Sequence, residues 1–487
     1  MTTPSERIAG EVSIVDARTA ADIVADDATI AVSGFGSVGN PKAVPAALAR
    51  SAESGRDLSL SIVSGGSTGE QIDTQLVEAD AMARRYPFQG RATSRKAINE
   101  RRVAFQDTHI ARLGERVELG SLVDVDLAIV EAVAVEPGRL VPSTSIGQTP
   151  AYVAAANEVI VEVNESQPIE LAKVHDIYRP GLPPHREPIP LADPGERIGD
   201  PWVEFDESKL VAVVRTDDPD TPYSFREPTT TDQRIADNFA SFVAEEMEAN
   251  PALAETIRLQ FGVGSMGNAL MGALSTFDTG GRHLDYYGEV IQDGMLDLLE
   301  DGTFRDASAT SLALSEDGQA RLFENIERFA DEIVLRPADV SNRAELVDRF
   351  GVVAVNSGVE VDIYGNVNST HVNGTRMLNG IGGSGDFNRN GVVSVTALPS
   401  TAAGGDISRV RPAVTHVDHT EHDISVIVTE YGIADLRGLS PVERAEAIIT
   451  ECAHPDYRDQ LEGYLEHASQ ASGHTPHDLD VAFDWLD

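Results

Sequence analysis

Along the first half of the chain, short dense apolar runs alternate with segments whose apolar positions keep helical spacing. "TIAVSGFG" (29–36) reads as a buried strand entering a glycine loop. "PKAVPAALARSAESG" then reads as a helix, with Pro41 suited to its first turn. Further strands are predicted at "LSLSIVSGG" (58–66), "VDLAIVEAVAV" (125–135) and "EVIVEVN" (158–164). Strand and helix in alternation argue for a parallel α/β sheet.

Seven prolines between Pro180 and Pro201, in "PGLPPHREPIPLADPGERIGDP", break this pattern. Helix and central strand are both excluded there, which leaves a long surface loop or an arm crossing the molecule. Helical spacing resumes at Ile235, Phe239 and Phe242, so a domain junction is expected near 215–230. That divides the chain into an N-terminal α/β domain, 1–220, and a C-terminal one, 221–487. The last clear helix is predicted at "SPVERAEAII", with Ser440 as cap, Pro441 in the first turn and Glu443 completing a capping box. "GFGSVGN" (34–40) and "GVGSMGN" (262–268) share G-x-G-S-x-G-N, each after a strand and before an apolar helix. Two related α/β domains built on one plan are the economical reading.

Composition narrows the setting. The 487 residues, 41% hydrophobic, exceed one ordinary core. No apolar run reaches membrane-spanning length, and the N-terminus lacks the basic start and apolar centre of a secretory signal. A single cysteine, Cys452, excludes an intrachain disulfide framework and suits a reducing compartment; a cytoplasmic protein is expected. Asp and Glu number 79 against 38 Lys and Arg, a net charge of −41, and only four of the basic residues are lysine (Lys42, Lys96, Lys173, Lys209). Such a surface repels nucleic acid and, in dilute buffer, itself. At about 1 M salt the Debye length falls to about 3 Å and the repulsion largely vanishes, so a halophile's cytosol is the expected environment.

Candidate chemistry begins with the glycine turns. Both fit the dinucleotide fingerprint G-x-G-x-x-G, but neither is followed by a strand ending in the acid a nicotinamide ribose needs. A dinucleotide-dependent oxidoreductase is therefore kept only as the alternative from another class. "HVDHTEH" (416–422) resembles a metal cluster, yet "DISVIVTE" directly after it is strand-like, and solvated loop histidines rather than a metal site are expected. Cys452 has no glycine turn to expose it and reads as a core or surface thiol. Between 355 and 391, Gly380, Gly382, Gly383 and Gly385 form a loop able to aim N–H groups at a developing oxyanion, with Asn366, Asn368, Asn373, Asn379, Asn388 and Asn390 nearby. In "YYGEVIQDGML" (286–296), Glu289 stands among Val290, Ile291, Met295 and Leu296 where strand gives way to helix. It reads as a helix-start residue, a general base or a nucleophile.

"DIYGNVNSTHVNGTRMLNGIGGSGDFNRN", "YYGEVIQDGMLDLLEDG" and "ATSLALS" resemble the acetyl-CoA hydrolase/transferase family of class I coenzyme A transferases. The likeness runs from "SGFGSVGNPKAVPAAL" through "VPSTSIGQTPAYV" and "SQPIELAKVHDIY" to "HVDHTEHDISVIVTEYGIADLRGLSP". "GIGGSGDF" is most similar to the succinyl-CoA:acetate transferase and acetyl-CoA hydrolase branch. The resemblance implies two related α/β domains with the active site in a cleft between them, the second domain carrying a nucleophilic Glu289. It implies backbone oxyanion donors at Met266 and Gly383, and a CoA-binding set of Gly262, Val263, Gly264, Ser265, Met266, Asn342, Asn379 and Gly383. Glu430 matches a supporting carboxylate, and "GFGSVGNPK" would cover the acyl or carboxylate pocket. Coenzyme A would be substrate and covalent intermediate, with no tightly bound cofactor, and the partners an acyl-CoA and a small carboxylate. A homodimer without membrane or nucleic-acid partner is expected. The implied reaction is acyl-CoA:carboxylate CoA transfer, with acetyl-CoA hydrolysis by the same glutamate as the alternative. Ala403 and Asp406 stand where the family commonly has basic residues, which weakens the expected cationic contribution to CoA binding.

Overall fold

The computed structural model describes residues 4, 6–221 and 226–484. Part of the expected junction, residues 222–225, lies outside the described residues. The chain forms two compact units that are not contiguous in sequence: 1–224 with 286–300 and 305–346, and 225–285 with 301–304 and 347–487. The stretch carrying Glu289 thus goes with the first unit, whereas a linear boundary at 220/221 assigns it to the second.

The first unit is built on a mainly parallel sheet. Its strands are β1 (Thr29–Val32), β2 (Leu60–Val63), β3 (Met82–Tyr86), β4 (Ala104–Phe105), β5 (Leu127–Glu136), β6 (Arg139–Pro142), β7 (Glu158–Asn164), β8 (Val203–Glu204) and β9 (Leu210–Thr216). Their order is β4-β3-β2-β1-β5, after which the long β5 has two partners. Its first half pairs in parallel with β7, which pairs with β9; its second half turns back antiparallel onto β6 and then β8. Ile30, Val32, Leu48, Leu60, Ile62, Ile129 and Ile160 form one core between these strands and the covering helices.

The helix after β1 spans Ala43–Glu53 and has no side-chain cap of its own. Its free N–H groups are met from β7: Glu162 Oε2 accepts from Lys42 N (2.7 Å) and Ala43 N (2.9 Å), and Oε1 from Val44 N (2.6 Å). A fully buried acid thereby complements the positive helix end. The proline-rich segment is a pinned arm. Ile189 and Leu191 are buried, and the buried Arg336 donates to the carbonyls of Pro194 and Glu196.

The second unit is also α/β. Strands Thr256–Phe261, Val353–Ser357, Val393–Ala397 and Val426–Val428 lie parallel in that order, and Ile433–Asp435 closes the edge antiparallel. Helix Thr230–Ala249 opens with a Thr229/Asp232 capping box and packs Phe239 edge-on to Phe261 at 6.3 Å. The predicted Ser440/Glu443 box is present. Helices Pro455–Ala468 and Leu479–Ala482 follow it, so that helix is not the last. Cys452 is wholly buried, and burial pushes its thiol up to about 12, which makes it inert at neutral pH.

The repeated motif does not repeat as backbone. In the first copy Gly34, Gly36, Ser37 and Gly39 all have positive φ, and helix begins only at Ala43. In the second copy only Gly264 does (φ 135°), and helix starts at once with Ser265. Both copies follow a strand and precede a helix, but the glycines serve different turns.

Candidate active site

Glu289 lies on a bend between strand His283–Tyr287 and the short strand Val290–Ile291, and helix Asp293–Glu300 starts four residues later. Its position is strand-to-strand, not strand-to-helix as the sequence suggests. Glu289 Oε1 accepts a 2.7 Å bond from Asn342 Nδ2. Asn342 is fully buried at the end of helix Ala338–Ser341, and its amide is oriented by Ser341 Oγ, which donates to Asn342 Oδ1 at 2.9 Å. With the oxygen so occupied, the NH₂ face is the one turned to Glu289.

The bend is held on every side. Gly288 N donates to Ser308 O and Thr310 N to Glu289 O, both at 3.0 Å. Tyr286 is buried, and its hydroxyl donates to Val290 O at 3.0 Å. Burial, and then the Glu289 carboxylate, raise that phenol well above its ordinary range. Tyr287 reaches past the bend to Val340 O at 2.6 Å, tying it to the helix that carries Asn342. A Cβ at Gly288 would lie 2.4 Å from Tyr286 Oη, so a side chain beside Glu289 would have to displace that buried ring.

The N-terminal glycine loop packs against the residue after Glu289. Phe35, Val38, Ile110, Val290, Ala313 and Ala338 form one small buried cluster. Ser311 Oγ donates to Phe35 O at 2.6 Å. A Cβ at Gly36 would meet Val290 and Ala313 at 3.7 Å. The loop "GFGSVGNPK" therefore packs, within the first unit, on the segments that flank Glu289.

The remaining candidates lie in the second unit. Gly262, Val263 and Gly264 link strand Thr256–Phe261 to helix Ser265–Leu274, and Val263 is exposed. Asn268 N is the first amide bonded inside that helix, to Gly264 O, so the Ser265, Met266 and Gly267 N–H groups have no intrahelical acceptor. Gly383 caps helix Ser384–Asn390 after Gly382, which has φ 60°. Asn379 folds over this loop, donating to Gly380 O (2.8 Å) and Ser369 O (3.3 Å). Glu430 is held by Ser400, whose N (2.8 Å) and Oγ (2.7 Å) both donate to it. Ala403 and Asp406 are exposed on a hairpin tip, Ala403 at φ 52°.

The histidines of "HVDHTEH" have separate partners. His419 is buried beside Ser384 Oγ (3.2 Å) and Ser369 Oγ (3.4 Å). His416 pairs with Asp418 and stacks on His371, and His422 is exposed beside Glu421. Sequence reasoning passed over the Tyr286–Gly288 contact, Ser341, and the acids Glu131 and Glu162. The last two were visible as lone carboxylates inside apolar strand runs.

The chain is thus a two-unit α/β protein whose first unit carries a glutamate, on a glycine-edged bend, held by an asparagine. The chain belongs to the acetyl-CoA hydrolase/transferase family: the family's N-terminal domain matches residues 11–215 and its C-terminal domain residues 318–465. It is 43% identical to the succinyl-CoA:acetate CoA-transferase of Clostridium kluyveri, over 97% of this chain and 88% of that one. It is 38% identical to an acetyl-CoA hydrolase of Yarrowia lipolytica, over 93% and 90% of the two chains. Among solved structures it is similar in fold to RipA from Yersinia pestis, with TM-score 0.73 and 22% identity over 93% and 96% of the chains.

Proposed function

We propose that the protein is an acyl-CoA:carboxylate CoA-transferase in which Glu289 is the nucleophile. The supporting observation is the Glu289–Asn342 bond of 2.7 Å, which aims the carboxylate from a bend where Tyr286 crowds the glycine beside it. The Glu289 carboxylate attacks the acyl-CoA carbonyl carbon, and the C–S bond breaks to give an acyl-glutamyl anhydride and CoA thiolate. The thiolate attacks the glutamyl carbonyl and expels the free carboxylate, leaving a glutamyl-CoA thioester. An acceptor carboxylate then reverses both steps. Covalent storage keeps the thioester energy that direct hydrolysis would release.

Each addition creates an oxyanion, and donors placed in advance stabilise it. The proposed donors are the N–H groups of Met266, in a helix first turn without a side-chain cap, and Gly383, beside a glycine turn braced by Asn379. Gly262 to Ser265 and Asn342 would line the CoA thioester, with Glu430 in support. Likeness to a succinyl-CoA:acetate transferase supports acetyl and succinyl groups as substrates. Likeness to acetyl-CoA hydrolases supports a second reading, in which water captures the glutamyl intermediate. The acidic composition supports function in concentrated salt.

The test is incubation with acetyl-CoA and no acceptor, at high potassium chloride, followed by mass analysis of the Glu289 peptide. A CoA-sized increase, lost in Glu289→Gln together with activity, is expected. Near-normal turnover in Glu289→Gln would overturn the nucleophile. Dependence of CoA transfer on added succinate separates transferase from hydrolase.

A further inference from the structure

One of the four lysines is buried inside the first unit rather than spent on its surface. Lys42 Nζ donates to Glu131 Oε2 (2.5 Å), Asp220 Oδ1 (2.8 Å) and Asn40 O (3.1 Å), so all three of its protons are committed. Asp220, also buried, is the hub. It accepts from Gly39 N with both oxygens at 3.2 Å, from Gln167 Nε2 at 3.2 Å, and from the Thr144 hydroxyl. Glu131 is satisfied by Ser143 Oγ (2.5 Å) and Asn164 Nδ2 (3.0 Å) besides Lys42.

Lys42 and Gly39 belong to the loop that packs on Val290, and Thr144 to the segment on its other side. Thr144 O accepts from Leu312 N (2.9 Å), and Ile146 N donates to Thr310 O (3.0 Å), whose own amide holds Glu289 O. Gly39 leaves no room for adjustment, since a Cβ there would fall 2.6 Å from Ser145 Cβ. The ion cluster therefore ties together the two segments, the 34–42 loop and Thr144–Ile146, that pack on or bond to the residues flanking Glu289.

Building on Glu289 as nucleophile, we infer that Lys42 and Asp220 are positioning residues that hold the pocket in the shape the acceptor carboxylate needs. Two carboxylates share one ammonium, and burial, against the pull of Lys42, raises Glu131 to about 7. Burial opposes the Lys42 charge, but Asp220 and Glu131 together hold it protonated far above neutrality. Breaking such a cluster leaves a buried charge uncompensated, which explains why the chain keeps a lysine here.

An acyl-CoA draws most of its affinity from the CoA portion, whereas a free small carboxylate has only the pocket. A loosened wall should thus penalise the acceptor selectively. Asp220→Asn keeps the shape, leaves Lys42 paired with Glu131, and turns an amide toward donors that need an acceptor. With acetyl-CoA and succinate, we expect KM for succinate to rise about tenfold or more, since a misplacement of about 1 Å can cost about 10²-fold. KM for acetyl-CoA and the glutamyl-CoA adduct on Glu289 should stay near wild type. Thr144→Val, which removes one hydroxyl and keeps every charge, should shift KM for succinate in the same direction by a few-fold. An unchanged succinate KM in both variants, or both substrates' KM values rising together, overturns the inference. Absence of the adduct in wild type would instead remove the nucleophile reading on which it rests.

Discussion

At the scale of single residues, the bend that carries Glu289 is tightly packed. Gly288 has no left-handed φ, so alanine would be tolerated by its backbone; it is Tyr286, at 2.4 Å from the added Cβ, that forbids it. Gly288→Ala must displace a buried ring bonded to Val290 O, an overpacking that costs about 1–3 kcal/mol. Turnover should fall at least about tenfold, because the bend that aims Glu289 moves with the ring. Thermal melts and steady-state rates on the same preparation check both; a variant with wild-type midpoint and rate would show the contact to be slack. Glu289 was legible because an acid among Val290, Ile291, Met295 and Leu296 is chemically unusual. Asn342 was named only through the family resemblance, and its bond to Glu289 could not be read, since it is 53 residues away along the chain at the end of a four-residue helix. Glu131 was equally visible within "AIVEAVAV", but only the fold brings Lys42 and Asp220 to it.

At the scale of elements, the apolar runs did their work where strands are buried on both faces. The predicted segments at 29–36, 58–66, 125–135 and 158–164 contain β1, β2, β7 and nearly all of β5. β3 escaped notice because its Arg84–Arg85 pair reads as surface, whereas Arg85 is fully buried on Asp73. Periodicity also could not show how the proline arm is pinned, because its anchors are arginines elsewhere in the chain. Beside that arm, His175 carries a pH dependence. Burial lowers it from 6.5 to about 4, with its ring between the carbonyls of Ser143 and Pro201. The folded state holds it neutral while the unfolded chain takes up a proton, so stability is lost as pH falls from about 6.5 towards 4. The loss is on the order of 3 kcal/mol at most. Glu131 acts in the opposite sense, since its contribution is present below 4.5 and is lost as pH rises through about 7. The informative measurement is therefore a difference: His175→Gln should be less stable at pH 7.5 but show a shallower acid-side slope than wild type. Parallel slopes would mean that the ring is protonated in the fold.

At the scale of the whole molecule, charge dominates. Scattered acids giving −41 on 487 residues leave most carboxylates without a cation, since only 38 lysines and arginines exist to pair with 79 acids. The cations present are used sparingly: Lys42, Arg85 and Arg336 are committed to buried pairs, where losing a partner is expensive. Exposed pairs such as Lys96–Glu100 contribute little, about 0–1 kcal/mol each, and salt weakens them. Two effects of added salt therefore compete. Screening removes a small attraction from the exposed pairs, and a larger repulsion among the unpaired acids. The buried pairs are screened least, so the framework around Glu289 is not the part that salt changes. The balance predicts a thermal midpoint that climbs steadily from dilute buffer to molar potassium chloride, most of the gain coming before the Debye length reaches about 3 Å near 1 M. If repulsion is the cause, sodium chloride should serve as well as potassium chloride, and neutralising a handful of exposed acids should raise the low-salt midpoint while flattening the salt response. A midpoint that is flat or falls with salt would assign the acidity some role other than tolerance of concentrated salt.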